Sequence, residues 1–131
     1  MSMIATKARL SRIAPEMPAA DLRAAIEYYV EKLGFELASE MPEGEYAIVE
    51  RDGVAIHLFR DGSPDGVRRH SGVAAHVFVE EIEVLYAELA ARGAEIAQGI
   101  ERKPWGNREF RLRDLLGNDI SRIFHGAQDW P

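Results

Sequence analysis

The 131-residue sequence contains no cysteine. Disulfides, thiolate metal sites and cysteine nucleophiles are therefore excluded. No apolar run approaches the roughly 18 residues that a membrane-spanning helix requires, and residues 1–12 lack the apolar core of a signal peptide. We accordingly expect a cytoplasmic protein that has no membrane partner.

Positive charge is also in short supply. Lys and Arg number 16 against 22 Asp and Glu, which gives a formal net charge of −6 at pH 7. Binding to nucleic-acid phosphates needs a concentrated basic surface, so this balance argues against a nucleic-acid partner. It slightly favours a cationic ligand, although a net charge of this size also serves solubility. The length and the 47% share of apolar residues fit one soluble domain.

The first half of the chain reads as a strand, a helix and three further strands. Asp21 is a suitable N-cap, apolar residues follow it at helical spacing, and Gly34 can end the helix. Asp52-Gly53 is a typical turn between the two strands of a hairpin. The predicted elements are a strand at 8–16, a helix at 21–34, and strands that begin at 35, at 46 and at 54.

The second half repeats this plan. LGFEL at 33–37 corresponds to RGAEI at 92–96, an offset of 59 residues, and Gly53 corresponds to Gly117, an offset of 64. A repeat of this length indicates two copies of one supersecondary unit. The second copy comprises a strand at 73–79, a helix at 82–92, a strand at 94–97 and a hairpin that turns at 117–118.

We therefore predict an α+β fold built from two tandem βαβββ modules. The modules cover about 8–60 and 73–125 and are joined by a linker at about 61–72, so that residues 1–131 form a single domain. Each module curls a small mixed sheet, and we expect the two sheets to form a cup.

The most specific motif in the sequence is KPWGNREFRLRDLLGNDISRIF at 103–124. Trp105 stands between a proline, which fixes φ, and a glycine, which permits a sharp turn. This favours an indole displayed by a stiff loop. The alternative, a tryptophan that fills the edge of a core, stays open on the sequence alone.

The tandem plan and this hairpin resemble the vicinal-oxygen-chelate (glyoxalase) superfamily, and within it the bleomycin resistance protein branch. The segments that resemble the family lie at 18–35, 45–53, 82–93 and 104–118. The chain departs from the family at the last turn, where Leu115-Leu116 stands in place of a usual Pro-Asp. Two leucines at a turn suggest an apolar contact there, such as a subunit interface.

Enzymes of this superfamily hold a divalent metal with His and Glu at four equivalent strand positions. The resemblance places these positions at Ala14, His57, Ala74 and Ser121. Alanine has no donor atom, and a catalytic ion needs about three protein ligands. We therefore expect no metal, no cofactor and no catalytic residue. The alternative is a glyoxalase- or dioxygenase-type metalloenzyme with an altered metal site, with His76 as a substitute ligand.

The resemblance also implies a ligand site. Tyr46 and Trp105 match the aromatic pair that sandwiches the flat bithiazole of bleomycin in the binding relatives. We expect homodimers with grooves between the subunits, in which the N-terminal strand is often exchanged. The predicted function is non-catalytic sequestration of a planar cationic antibiotic of the bleomycin type, or binding of another aromatic metabolite. Glu43 and Glu45 precede Tyr46 and are expected to place carboxylates beside the stacking site, which would suit the cationic tail of such a drug. The full set of predicted ligand-binding residues is Tyr46, Trp105, His57, His76, Phe78, Glu43 and Glu45.

Overall fold

The computed structural model describes residues 7–62 and 75–114, together with the backbone of a strand at 124–126. The first module contains β1 (Glu16–Ala19), α1 (Leu22–Glu31), β2 (Glu36–Glu40), β3 (Tyr46–Arg51) and β4 (Val54–Arg60). The second contains β5 (Val77–Val79), α2 (Ile82–Arg92), β6 (Glu95–Arg102), β7 (Arg108–Arg113) and β8 (Phe124–Gly126). The predicted tandem βαβββ plan is confirmed.

The two sheets share one topology. Their strand orders are β1-β4-β3-β2 and β5-β8-β7-β6. In each sheet the first strand runs parallel to the last, and the remaining pairs are antiparallel. Both sheets are therefore mixed, and the predicted α+β class is confirmed.

Local signals fix the first helix and the first hairpin. The Asp21 carboxylate accepts a hydrogen bond from the backbone N–H of Ala24 at 3.1 Å, which caps α1 as predicted. The turn between β3 and β4 places Asp52 at φ +52° and Gly53 at φ +81°. Two consecutive positive φ values are the geometry of a tight hairpin turn, and the Asp-Gly pair accommodates them.

One apolar core joins the two modules. Met17, Tyr29 and Leu58 of the first module belong to the same buried cluster as Leu89 and Phe110 of the second. Because α1 packs on its own sheet and α2 on the other, each sheet keeps a second face that is turned away from its helix.

Polar contacts cross the same junction. The Tyr28 hydroxyl donates to the carbonyl of Arg113 and accepts from the backbone N–H of Glu95, both at 2.8 Å. Arg51 donates to both carboxylate oxygens of Glu88, at 3.1 and 2.6 Å. The modules are thus held together beside their helices. No helix in the described part of the chain is long and apolar enough to cross a membrane.

Several predicted boundaries need correction. The first strand does not run over 8–16 but begins at Glu16, because β1 pairs with β4 only from Glu16 to Ala19. Leu10 and Ile13 are 98% and 94% exposed. The strand predicted at 94–97 extends over Glu95–Arg102, and the strand predicted at 73–79 is described at Val77–Val79. Residues 63–74 of the linker region and the turn at 115–118 lie outside the described residues.

Candidate functional site

The first candidate surface is the face of the first sheet that is turned away from α1. Successive side chains of a strand point to opposite faces. In β3, Ala47 and Val49 are buried on the helix side, so Tyr46 lies on the other face. In β4 the same alternation puts His57 on that face, and β1 pairs Glu16 directly with His57. Three strands therefore bring Glu16, Tyr46 and His57 together.

Two short hydrogen bonds fix the Tyr46 ring. Its hydroxyl oxygen lies 2.6 Å from Oε2 of Glu16 and 2.6 Å from Nδ1 of His57. The Tyr46 and His57 rings meet edge to face, with centroids 5.6 Å apart and planes at 85°. Tyr46 is thus held both at its hydroxyl and along its ring.

The same contacts stabilise the protonated phenol. The hydrogen bond to the Glu16 carboxylate, followed by burial and the Glu16 charge, raises the pKa of Tyr46 from its ordinary value of 10.0 to about 12. A group with a raised pKa contributes stability below its unfolded pKa and loses it as the pH rises through its folded pKa. The stabilisation from Tyr46 is therefore complete below about pH 10 and disappears towards pH 12.

We expect Glu16→Gln to return the pKa of Tyr46 towards 10.0, because the variant removes the carboxylate that holds the phenol proton. Titration of ring-labelled tyrosine by NMR measures this, with Tyr46→Phe to assign the resonance. Glu45→Gln is the matched control, since Glu45 neighbours Tyr46 in sequence but bonds elsewhere. An unchanged Tyr46 titration in Glu16→Gln would contradict the assignment.

The second candidate surface is the loop between β6 and β7. The backbone N–H of Lys103 donates to the carbonyl of Asn107 at 2.8 Å, and that of Gly106 donates to the carbonyl of Lys103 at 2.9 Å. Gly106 has φ +102°, which favours glycine. These bonds close a tight loop around Trp105.

The Trp105 side chain is displayed on this loop. It is 50% exposed, and its indole N–H donates to Oε2 of Glu109 at 3.1 Å. Glu109 on β7 is only 1% exposed. The structure therefore favours the displayed indole over a core-edge tryptophan, with one ring edge anchored to a buried carboxylate.

The other predicted residues are spread over both modules. Glu45 lies on the α1 side of the first sheet, where its carboxylate is 3.6 Å from Arg60. The expectation that the Glu45 carboxylate lies beside the Tyr46 ring is therefore corrected. Glu43 is exposed in the loop before β3. His76 precedes β5 and is exposed, and Phe78 within β5 is 52% exposed.

The structure thus brings Tyr46 and His57 into direct contact. Trp105, His76 and Phe78 belong to the second sheet and its loops. Glu16 was missed by the sequence interpretation, which used Ala14 as the reference position of the first strand. No sequence pattern marks it, because β1 begins at Glu16 only through its pairing with β4.

The residues of the superfamily's metal position do not fit a metal ion. Ala14 offers no donor atom, and Nδ1 of His57 is bonded to Tyr46. Ala74 and Ser121 lie outside the described residues. Within the ranges 7–62 and 75–114, no group of three or more His, Asp and Glu side chains could hold a metal ion.

A family model decides the relationship. The model described as Glyoxalase/Bleomycin resistance protein/Dioxygenase superfamily matches residues 9–121. The chain belongs to this superfamily. No curated protein matches it.

Solved structures similar to this superfamily member include both binding proteins and enzymes. TioX from Micromonospora sp. ML1 is 27% identical, with 89% of this chain and 98% of TioX covered and a TM-score of 0.70. The bleomycin-binding protein of Streptomyces verticillus, solved with copper(II)-bleomycin, is 24% identical, with 92% and 97% covered and a TM-score of 0.72. Lactoylglutathione lyase from Agrobacterium tumefaciens is 20% identical, with 95% and 98% covered and a TM-score of 0.66. At identities below 25% such likeness shows the fold alone, so the choice between the two kinds of protein depends on the site.

Proposed function

We propose that this protein binds and sequesters a planar, cationic antibiotic of the bleomycin type without altering it chemically. The observation that carries the proposal is Trp105, a half-exposed indole on a closed loop with its N–H fixed to Glu109. A large aromatic face held rigid towards solvent loses little entropy when a flat ligand stacks on it.

A second fixed ring supports stacking. Tyr46 is held by Glu16 and His57, each at 2.6 Å. Stacking of aromatic groups adds about 0.5–1.5 kcal/mol per contact to the free energy of burial. Two prepositioned rings therefore suit a flat heterocycle such as a bithiazole.

The charge of the surrounding face supports a cationic ligand. Glu36 and Glu50 are paired opposite each other in β2 and β3, and alternation places them on the same face as Tyr46. With Glu16 they make three carboxylates. Among the described strands β1 to β4, no Lys or Arg alternates onto this face. Such a surface attracts organic cations and repels anions.

We further propose a homodimer in which a second copy completes the groove. Tyr46 and Trp105 belong to different sheets, which are joined beside their helices rather than face to face. Leu10 and Ile13, 98% and 94% exposed, form an apolar arm before β1. Burying two such side chains against a partner contributes about 1.5–3 kcal/mol each.

Light scattering at micromolar concentration is expected to give twice the chain mass. The double variant Leu10→Asp and Ile13→Asp should shift this towards the monomer, because burying an unpaired carboxylate is costly. The matched control is Lys7→Asp with Arg9→Asp, which changes charge on the same arm and keeps both apolar residues. A monomer mass for the unaltered protein would contradict the proposal.

The function itself is tested by titration with metal-free and copper-loaded bleomycin while tryptophan fluorescence is recorded. The sequence has two tryptophans, so a Trp130→Phe variant is used to make the signal report Trp105. We expect saturable quenching and unchanged antibiotic after release. If other flat aromatic cations bind and bleomycin does not, the protein is a binding protein for another metabolite.

A metalloenzyme with an altered site is the second candidate, because His57 stands at one of the four metal positions and Glu16 lies across from it. Elemental analysis after mild purification distinguishes the two candidates. About one zinc, nickel or iron ion per chain, together with glyoxalase or ring-cleavage activity, would favour the enzyme.

A further inference from the structure

The cluster of Glu16, Tyr46 and His57 contains two hydrogen bonds around one phenol oxygen, and their directions can be assigned. A phenol has a single proton to donate, and an ionised carboxylate can only accept. The Tyr46 hydroxyl therefore donates to Oε2 of Glu16 at 2.6 Å. Its oxygen must then accept from Nδ1 of His57, also at 2.6 Å. In the neutral form of the imidazole, this bond places the proton on Nδ1.

Glu16 and His57 each keep one further acceptor atom beyond the atom bonded to Tyr46. A neutral imidazole protonated on Nδ1 has a lone pair at Nε2. The second carboxylate oxygen of Glu16, Oε1, also accepts. Within the described residues, the side chains of Glu16 and His57 make no hydrogen bond other than those to Tyr46. Both acceptors are therefore available to a ligand.

We propose that Glu16 Oε1 and His57 Nε2 form a two-acceptor site that binds the N–H groups of an organic cation, such as an ammonium, amidinium or guanidinium group. This inference rests on the proposed function, because the cation is then the charged end of the flat ligand that Tyr46 and Trp105 stack. It assigns the cation to Glu16, in the first strand, rather than to Glu43 or Glu45.

The site discriminates by hydrogen bonding as well as by charge. An amidinium supplies two N–H donors and a positive charge, which match two acceptors and a carboxylate. A quaternary ammonium supplies only the charge, and a carboxylate ligand meets two acceptors with no proton to share. The raised pKa of Tyr46 keeps its hydroxyl protonated, so the phenol remains a donor to Glu16.

Three ligands with one ring system test this discrimination. They are 2-naphthamidine, 2-naphthyltrimethylammonium and 2-naphthoate, titrated by NMR with the full chain. Because a hydrogen bond to a charged group contributes about 1.5–3 kcal/mol, the amidinium should bind at least roughly tenfold more tightly than the quaternary ammonium. The carboxylate should bind most weakly.

Two variants locate the effect. Glu16→Gln should remove most of the preference for the amidinium over the quaternary ammonium. Glu45→Gln is the matched control: it removes a carboxylate from the opposite face, where Glu45 pairs with Arg60, and should leave the preference unchanged. An equal loss of this preference in both variants would overturn the inference, because the preference would then depend only on the net charge of the protein.

Nitrogen-15 NMR of the His57 ring tests the proton assignment without any ligand. We expect the proton on Nδ1 in the unaltered protein and a weakened Nδ1 preference in Tyr46→Phe. A proton on Nε2 would overturn the inference. Equal binding of all three naphthalenes would overturn it while leaving stacking of flat ligands intact, and binding of none of them would overturn it together with the proposed function.

Discussion

Trp105→Ala is expected to weaken bleomycin binding by about thirtyfold, which corresponds to the ~2 kcal/mol typical of aromatic truncation at a binding hot spot. The variant removes the exposed stacking face. It should lower the melting temperature by only a few degrees, because the indole is 50% exposed and truncation opens the Glu109 carboxylate to water instead of leaving a closed cavity. Titration and thermal unfolding of the same sample measure both effects.

Trp105→Phe separates the ring from its anchor. Phenylalanine keeps an aromatic face but cannot donate to Oε2 of Glu109, so we expect an intermediate affinity. If the indole were instead a core residue, Trp105→Ala would cost roughly 3–5 kcal/mol of folding free energy. A large drop in melting temperature with unchanged affinity would therefore contradict the stacking role.

The tandem plan could be predicted because its signals are local. Asp52-Gly53 occupies two left-handed positions, at φ +52° and +81°, that few other residue pairs tolerate. Asp21 caps α1 through a bond that spans three residues. Such signals recur in the second module, as Gly93 at φ +85° shows at the end of α2. The repeat therefore predicted the order of the elements.

The site could be predicted only in part, because it depends on register. A shift of one residue exchanges the two faces of a strand, and this is why Glu45 was expected beside the Tyr46 ring but pairs with Arg60 on the helix side. Glu16 was missed because the first residue of β1 is set by the pairing of this strand with β4, and sequence periodicity does not show that pairing. The hydrogen bonds of Tyr46 join three strands, so no local sequence pattern predicts them.

The contacts between the two modules also could not be predicted from the sequence. Arg51 and Glu88 are 37 residues apart and lie on β3 and α2, yet their side chains meet at 2.6 Å. Their pairing lowers the pKa of Glu88, with the hydrogen bond from Arg51 as the largest cause. This contact helps to hold the modules beside their helices, and that arrangement leaves the Tyr46 and Trp105 surfaces for a ligand and a second copy in the proposal above.

Phe110→Ala is expected to lower the stability of the protein and to leave its ligand affinity nearly unchanged. This is the reverse of the result expected for Trp105→Ala, although both residues belong to the same part of the second module. Phe110 on β7 is fully buried, and its ring meets that of Tyr86 on α2 at 5.1 Å and 86°. Truncation leaves a cavity in the shared core and should cost about 3–5 kcal/mol. The melting temperature should fall by roughly 10 °C or more, measured by calorimetry.

Affinity supplies the second half of the test. Below its unfolding transition, Phe110→Ala should bind the same flat ligand within about twofold of the unaltered protein, because Phe110 faces α2 and its neighbour Glu109 faces the anchored indole. Phe110→Leu is the control that keeps most of the buried volume and should recover much of the stability. Lost binding with an unchanged melting temperature would mean that β7 is shifted by one residue, which would put Phe110 on the ligand face and Glu109 in the core beside α2.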